Sequence, residues 1–246
     1  MFEEFRQRVP DVLKRRVRKM VDAVDAAAQN RALERCVSAL RSRRQSGSVD
    51  LDLLNEIRRA WGNEAYSADA GYLAQMAARV LESPGPFLEC GSGVSTLIAG
   101  LLASAGRGRI WSLEQDPVWH EQITATLQRF DIANVEVVYA PLREYEDFAW
   151  FSVPDRGLPS EFTHVFCDGP AISESKWADP FYSNWRVGVV PVLREQGIRF
   201  GEILLDDADD PRAMPLCRRW ESCGLVASAS QTSTGPYVSF RPRWEK

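Results

Sequence analysis

The chain has 246 residues, of which 45% are hydrophobic and 26% are charged, and its formal net charge is −4. This balance is ordinary for a soluble globular protein with a sizeable core. No apolar run reaches the roughly 18 residues that a membrane span needs. Basic residues between Arg6 and Lys19 interrupt any apolar segment that a secretory signal would require. We therefore expect a cytoplasmic protein.

Cysteine and histidine usage supports this expectation. The cysteines are odd in number and show no C-x-x-C spacing: Cys36, Cys90, Cys167, Cys217 and Cys223. This pattern is typical of reduced thiols, and Cys90 and Cys167 lie in apolar runs that predict core positions. Because the chain has only two histidines and neither is near a cysteine pair, a zinc site is not expected.

The N-terminal region is basic, with 12 Lys and Arg against 6 Asp and Glu in residues 1–44. Its apolar residues recur at helical steps of three and four: Phe2, Phe5, Val9, Val12, Leu13, Val17, Met20, Val21 and Val24. A second helix is predicted over residues 32–40, a linker over 41–50, and further helices over 51–60 and 69–81. The basic charge indicates either an arm for nucleic acid or membrane, or a solvated helix face, which we favour. We expect this region to form a lid or an oligomer contact.

From residue 84 onward, short apolar runs alternate with helical stretches. The pattern predicts strands over residues 86–90, 109–113, 135–139, 164–167, 202–205, 226–229 and 237–240. Helices are predicted over residues 96–103, 119–130, 187–195 and 215–223. Such alternation favours a parallel sheet with helices on both faces. Because ligands of these sheets bind at the carboxyl ends of the strands, functional residues are expected just after each apolar run.

The strongest motif is FLECGSGVST, residues 87–96. An apolar run containing Glu89 is followed by a Gly-Ser-Gly turn and the start of a helix. Gly91 and Gly93 permit positive φ angles and a close approach of a ligand to the backbone. The helix start offers free N–H groups. Since a phosphate would be repelled by a carboxylate at this place, Glu89 favours a cationic ligand, such as the ammonium group of an amino acid.

A second acid, Glu114, follows the next apolar run. An acid at the tip of the second strand is the usual acceptor for the two hydroxyls of a ribose. Two acids at neighbouring strand ends around a glycine turn match a nucleoside with a charged amino-acid tail. A nicotinamide-binding Rossmann domain is the nearest alternative, but its G-x-G-x-x-G motif needs a glycine where this chain has Thr96.

With these motifs the sequence resembles the class I S-adenosylmethionine-dependent methyltransferases, most strongly those with an ECGSG-type first motif. The resemblance implies an α/β, Rossmann-like fold over residues 61–246, with a mostly parallel seven-stranded sheet and helices on both faces, behind a helical N-terminal extension over residues 1–60. It also implies that S-adenosyl-L-methionine binds to Glu89, Gly91, Ser92, Gly93, Ser95, Thr96, Glu114, Gln115, Ala140, Pro141 and Asp168.

The resemblance further implies a role for each part. The first motif would surround the methionine moiety, and Glu114 would hold the ribose with Gln115 beside the adenine. Ala140, Pro141 and Leu142 would edge the adenine, although this segment lacks the acid that many relatives have there. Asp168, in the sequence Cys-Asp-Gly-Pro, would lie beside the reacting methyl group as the catalytic residue.

A cluster of acids, beginning with Asp206 and Asp207, follows the predicted fifth strand of the main sheet. With Asp168 it places carboxylates at two neighbouring strand ends, and oxygen-only clusters suit Mg²⁺ or Ca²⁺. The arrangement resembles that of metal-dependent O-methyltransferases, and Asp168, Asp206 and Asp207 are therefore candidate ligands of Mg²⁺. The alternative is that the acids after this strand are solvated and cap the following helix.

Aromatic residues are dense in residues 176–186, with Trp150 and Phe151 upstream. They predict either a roof over the cleft for a planar substrate or packing against the N-terminal helices. Trp61 and Asn63 would border the cofactor by resemblance. His164 lies within a predicted strand, so a structural role is favoured over that of a base.

The predicted function is methylation of a small molecule on oxygen. A second hypothesis is methylation of RNA or protein, docked by the basic N-terminal helices, although nucleic acid is the less favoured partner. A third is a nucleoside-binding interaction module without catalysis. Fold and cofactor motif do not determine the methyl acceptor.

Overall fold

The computed structural model describes residues 11–43, 47–103, 108–154, 157–172, 176, 179–183, 186–228 and 236–243. In the first helix, side chains are described from Asp25 onward. The predicted apolar positions Phe2, Phe5 and Val9 lie outside the described residues. Among the residues described, no helix combines the length and the apolar character needed to cross a bilayer.

Helices and strands alternate through most of the chain. The helices are α1 (Asp11–Arg43), α2 (Leu51–Trp61), α3 (Ala70–Glu82), α4 (Val94–Leu102), α5 (Pro117–Arg129), α6 (Pro180–Ser183), α7 (Val189–Glu195) and α8 (Ala213–Ser222), with a 3₁₀ turn at Glu64–Tyr66. The strands are β1 (Phe87–Cys90), β2 (Ile110–Glu114), β3 (Val135–Tyr139), β4 (Leu142–Glu144), β5 (Ala149–Phe151), β6 (Glu161–Cys167), β7 (Arg199–Leu205), β8 (Leu225–Ser228) and β9 (Val238–Pro242).

The first helix is longer than the sequence pattern predicts. Instead of two helices, α1 runs unbroken from Asp11 to Arg43. The reason is local, because residues 25–32 are rich in alanine, which has the highest helix propensity, and contain no glycine or proline. The end of α2 follows the expected rule: Gly62 adopts a left-handed conformation with φ of 82° and its N–H bonds to the carbonyl of Arg58.

The main sheet has seven strands in the order β3-β2-β1-β6-β7-β9-β8. Strands β3, β2, β1, β6 and β7 are parallel, and β9 is antiparallel to both β7 and β8. The prediction of a mostly parallel seven-stranded sheet is thus confirmed. The strand order reverses between β1 and β6, where Cys90 pairs with Cys167, and ligands of such folds bind at this point.

Each face of the sheet is covered by its own hydrophobic cluster, because successive strand residues point to opposite faces. Phe87 belongs to the cluster formed with α1–α5, whereas its neighbour Leu88 belongs to the cluster formed with α7 and α8. The N-terminal helix shares the first cluster: Leu33, Val37 and Leu40 are buried beside residues of α4 and α5. The N-terminal region and the sheet therefore pack around one continuous core.

Polar contacts hold α1 against α5. Arg129 donates to Asn30 at 2.8 Å and to Glu34 at 2.7 Å, and the Arg41 guanidinium donates to the carbonyl of Phe130. Part of the predicted basic surface thus binds within the chain.

Trp150 and Phe151 are packing residues. Both are fully buried in the second cluster, on the antiparallel β4–β5 hairpin, which the sequence pattern does not predict. Gly188 permits this packing, since a Cβ there would lie 2.4 Å from Cγ of Trp150. The interpretation as a cleft roof is therefore wrong for these two residues. Trp177 and Trp185 lie outside the described residues.

A buried ion-pair network ties four elements together at the other end of the sheet. Glu202 on β7 is 4% exposed and accepts two hydrogen bonds from Arg79 on α3, at 2.9 and 3.1 Å. His164 and Arg241 lie 3.5 Å from its oxygens, which confirms a structural place for His164. Burial raises the pKa of Glu202, but hydrogen bonds from His164 and Arg79 and the arginine charges hold it well below its ordinary value.

We predict that Glu202→Gln lowers the free energy of unfolding at pH 7 by about 3–5 kcal/mol, because it leaves the Arg79 charge buried without its partner. The lowered pKa means that Glu202 contributes stability above its unfolded pKa of about 4.3 and loses it as pH falls towards the folded value. The difference between variant and wild type should thus shrink below about pH 4. Urea unfolding across this pH range measures it.

Glu161→Gln is the matched control, since Glu161 pairs with Arg199 at 2.8 Å on the surface. It should cost less than about 1 kcal/mol. Equal losses in the two variants, or a Glu202→Gln loss that does not depend on pH, would contradict the assignment.

Candidate active site

The site is organised around a close contact between the loops that follow β1 and β6. Gly91 has a φ of 93°, and a Cβ on it would lie 2.7 Å from Cα of Gly169. A Cβ on Gly169 would lie 2.6 Å from Cα of Gly91. The N–H of Gly169 donates to the carbonyl of Cys90 at 2.5 Å. Neither position has space for a side chain, so the two loops meet backbone to backbone.

Glu114 stands at the end of β2 and anchors the glycine turn. Its carboxylate accepts from the N–H and the hydroxyl of Ser92, at 3.2 and 2.5 Å, and from the N–H of Asp116 at 2.8 Å. The residue is 2% exposed, yet it lines a cavity. Oε1 of Glu114 accepts one hydrogen bond, from the N–H of Asp116. A carboxylate oxygen can accept about two hydrogen bonds. Glu114 therefore keeps capacity for a ligand hydroxyl.

Glu89 lies beneath the turn, 1% exposed. One carboxylate oxygen accepts hydrogen bonds from Thr96 at 2.6 Å and from Ser112 at 2.5 Å, whereas Oε1 has no hydrogen-bond partner among the described residues. Burial raises the pKa of Glu89 to about 7, against the hydroxyl hydrogen bonds of Ser112, Ser95 and Thr96, which lower it. An unpartnered buried oxygen of this kind suits a nearby positive charge.

A cavity of about 320 Å³ opens at this edge of the sheet. It is lined by Asn63, Tyr66, Ser67, Ala68, Gly91, Ser92, Gly93, Val94, Ser95, Glu114, Gln115, Asp116, Trp119, Asp168, Gly169 and Ala171. The lining thus comes from the ends of β1, β2 and β6, from the 3₁₀ turn, and from the start of α5.

Most of the residues predicted to bind the cofactor meet in this cavity. Those that line it are Gly91, Ser92, Gly93, Ser95, Glu114, Gln115 and Asp168, together with Asn63. Four others do not: Glu89 and Thr96 are buried beneath it, Ala140 is fully buried, and Pro141 is exposed outside it. The segment after β3, which lacks the acid that many relatives have there, does not line this cavity.

The three acids predicted to bind a metal also meet. Asp168, Asp206 and Asp207 each offer an oxygen within 4.8 Å of the others. The sequence argument did not foresee Arg186, which is 3% exposed and lies among them. Its Nη2 is 3.2 Å from Asp168 Oδ1 and 2.7 Å from Asp207 Oδ2. The guanidinium thus contacts two of the three carboxylates that the sequence argument assigned to a metal ion.

Burial dominates the electrostatics of this acidic cluster. It raises the pKa of Asp168 to about 7, while the Arg186 guanidinium acts in the opposite direction. Burial and the charge of Asp168 raise the pKa of Asp206 well above its ordinary range. Both oxygens of Asp206 are buried without a hydrogen-bond partner among the described residues.

The fold is similar to that of solved methyltransferase structures. The S-adenosylhomocysteine-bound methyltransferase of Podospora anserina superposes with a TM-score of 0.54 at 14% identity, over 93% of this chain and 96% of its own. The O-methyltransferase of Bacillus cereus, in complex with the same product, gives 0.46 at 20% identity, over 78% and 90%. The sequence matches no family model and no curated protein.

The strand order with an antiparallel β9 between β7 and β8, together with the superposition over 93% of the chain, decides the fold. The chain has the class I methyltransferase fold. Within this methyltransferase fold, the cavity lies at the point where the strand order reverses, between the ends of β1 and β6.

Sequence reasoning missed part of the cavity wall. Tyr66, Ser67 and Ala68 reach it from the turn after α2, and Trp119 reaches it from α5, where its Nε1 donates to the carbonyl of Ser92 at 2.8 Å. These residues carry no strand-end or glycine signal. The only hint was the resemblance that predicts Trp61 and Asn63 beside the cofactor; Asn63 lines this cavity and Trp61 does not.

We predict that Gly91→Ala lowers the free energy of unfolding by roughly 2 kcal/mol or more. A positive φ on a residue with a side chain costs about 1–3 kcal/mol, and the new Cβ would also push against Gly169. Gly93→Ala is the control, because a Cβ there meets nothing within 4 Å, and it should cost less than about 1 kcal/mol. Urea unfolding of both variants measures this, and similar losses would refute the backbone contact as the constraint.

Proposed function

We propose that this protein transfers a methyl group from S-adenosyl-L-methionine to a hydroxyl group of a small molecule. The observation that carries the proposal is a single cavity that combines the Gly91–Gly93 turn, the ribose-type acceptor Glu114 and the carboxylate of Asp168. The three features come from three strand ends, and the methyltransferase fold brings them together.

The residues present fit this cofactor. Glu114 has acceptor capacity for the ribose hydroxyls, and the turn at Gly91–Gly93 lets a ligand approach the backbone. Glu89 would act through its charge from beneath the turn, since its Oε1 has no hydrogen-bond partner among the described residues and Glu89 is not part of this cavity's wall. Tyr66 is 80% exposed and lines the same cavity, so its ring is available to cover a bound nucleoside.

The protein's own tasks in the reaction are positioning and proton removal. When bound, the cofactor supplies a methyl group on a positively charged sulfur. Transfer in line to an oxygen gains mainly from holding the acceptor in place and removing its proton. Asp168 reaches the cavity and is held by Arg186 through both its carboxylate and its carbonyl. We infer that this carboxylate accepts the proton that the hydroxyl group of the methyl acceptor loses.

Mg²⁺ at Asp168, Asp206 and Asp207 stays a prediction, and the residues present do not favour it. An ion bound to Asp168 and Asp207 would lie against the Arg186 guanidinium, which already contacts both. No step of the proposed reaction is therefore assigned to a metal.

The sequence also suggests two alternative functions, and each would give a different experimental result. Methylation of RNA or protein would use the basic N-terminal helix, in which Arg41 and Arg43 contact Phe130 and Asp50 of the same chain. A non-catalytic module would bind the nucleoside without turnover. Cytoplasmic location and a homo-oligomer contact through α1 also stay predictions.

We predict that Glu114→Gln weakens S-adenosylhomocysteine binding by about ten- to hundredfold, because an ionised acceptor contributes about 1.5–3 kcal/mol. Isothermal titration calorimetry measures the dissociation constant. Glu121→Gln, on the exposed face of α5, should leave it unchanged. If Glu114→Gln binds like wild type while keeping the wild-type melting temperature, the ribose lies elsewhere.

We predict that Asp168→Asn lowers kcat by about a hundredfold or more while S-adenosylhomocysteine affinity stays within threefold. The measurement is release of S-adenosylhomocysteine from the methyl donor with a panel of phenols and aliphatic alcohols. Asp209→Asn is the control, an exposed acid of the same turn as Asp207. An unchanged kcat in Asp168→Asn would exclude Asp168 as the base. Product binding without turnover in wild type would favour the interaction module.

A further inference from the structure

The acidic cluster of Asp168, Asp206 and Asp207 has the geometry of a cation site. Its three carboxylates stand at the ends of two adjacent strands, β6 and β7, with an oxygen of each within 4.8 Å of the others. Such oxygen-only sets bind Mg²⁺ or Ca²⁺ in proteins. The negative charge of these carboxylates needs a positive charge to balance it.

Arg186 contacts the carboxylates of Asp168 and Asp207 and the backbone carbonyl of Asp206. Its Nη2 donates to Asp207 Oδ2 at 2.7 Å, to the Asp168 carbonyl at 2.7 Å and to Asp168 Oδ1 at 3.2 Å. Its Nη1 donates to the Asp206 carbonyl at 2.7 Å. One planar cation therefore bridges the ends of both strands, in the forked geometry that favours arginine over lysine.

The position of Arg186 is held by its surroundings. The residue is 3% exposed, and the turn that follows it is anchored where Trp220 donates to the carbonyl of Val187 at 3.1 Å. Asp207 adopts a φ of 54°, uncommon for a residue with a side chain, while its carboxylate contacts the guanidinium. The backbone thus accepts strain at the residue that completes the ion pair.

We propose that Arg186 is the resident cation of this cluster and takes the place of a divalent metal ion. A metal ion binds carboxylate oxygens at about 2.0–2.6 Å, so an ion held by all three carboxylates would lie close to Nη2, which already contacts one oxygen of Asp168 and one of Asp207. Two cations cannot share them without strong repulsion in a buried setting. Moving the guanidinium away would leave its charge buried and unpaired.

The arrangement has a consequence for the acceptor, which rests on the proposed function. A metal ion would hold two neighbouring oxygens of a substrate, as a diol offers them. With Arg186 in its place, the site presents a carboxylate, Asp168, to a single proton-donating group. The acceptor class is therefore a compound with one reacting hydroxyl, and a chelating diol is not required.

The test measures Mn²⁺ binding to the full chain by electron paramagnetic resonance. Wild type should show no saturable binding at up to roughly 1 mM Mn²⁺, the weak end of protein sites for hard cations. Arg186→Met removes the charge but keeps an unbranched side chain, and should create one Mn²⁺ site per chain. Adding Asp207→Asn to that variant should abolish the site, and Mn²⁺ should raise the melting temperature of Arg186→Met alone.

Three results would overturn the proposal. The first is saturable Mn²⁺ binding by wild type that Asp207→Asn removes, and this comparison holds even if Arg186→Met does not fold. The second is a folded Arg186→Met that binds no Mn²⁺, since Arg186 would then not be what excludes the ion. The third is an Arg186→Lys variant that binds Mn²⁺ as strongly as Arg186→Met, because its charge should still repel the ion. None of these readouts requires methyl transfer, so failure of the proposed function is seen separately in the turnover assay.

Discussion

The backbone contact between Gly91 and Gly169 is the constraint on which the site depends. It brings the loops after β1 and β6 together where the strand order reverses, and it requires two residues without side chains. This contact also fixes the position of Asp168, since the N–H groups of both Asp168 and Gly169 donate to the carbonyl of Cys90. A single cavity lined by both Glu114 and Asp168 is the geometric result.

Four acids around the site are held in three different ways. Hydroxyl groups hold Glu89, backbone N–H groups and a serine hold Glu114, and a guanidinium holds Asp168 and Asp207. Neutral donors leave a carboxylate available for a ligand with positive charge or hydroxyls, whereas an arginine supplies a full countercharge. Under the proposed function, this difference separates the part of the cavity that would hold the cofactor from the part where a methyl acceptor would lie.

The N-terminal region belongs to the site as well as to the core. Helix α1 packs on α2 and α4, and the segment between α2 and α3 supplies Asn63, Tyr66 and Ser67 to the cavity wall. Because the same helices bury Leu40 and Leu54 fully, the position of that wall is coupled to the packing of α1. The region thus shapes the cavity from outside the sheet.

The sequence by itself determined the parts of this protein that depend on neighbouring residues. The alternation of strands and helices, the turn around Gly91 and the acids at strand ends follow from local periodicity and glycine spacing. The sequence predicts that Asp168, Asp206 and Asp207 lie close together, because parallel strands end at one edge of the sheet, and they do. The tertiary structure alone decided that Arg186, 18 positions after Asp168, stands among them, and that Ala140 is buried away from the cavity. Their places depend on packing between distant segments, which no local pattern encodes.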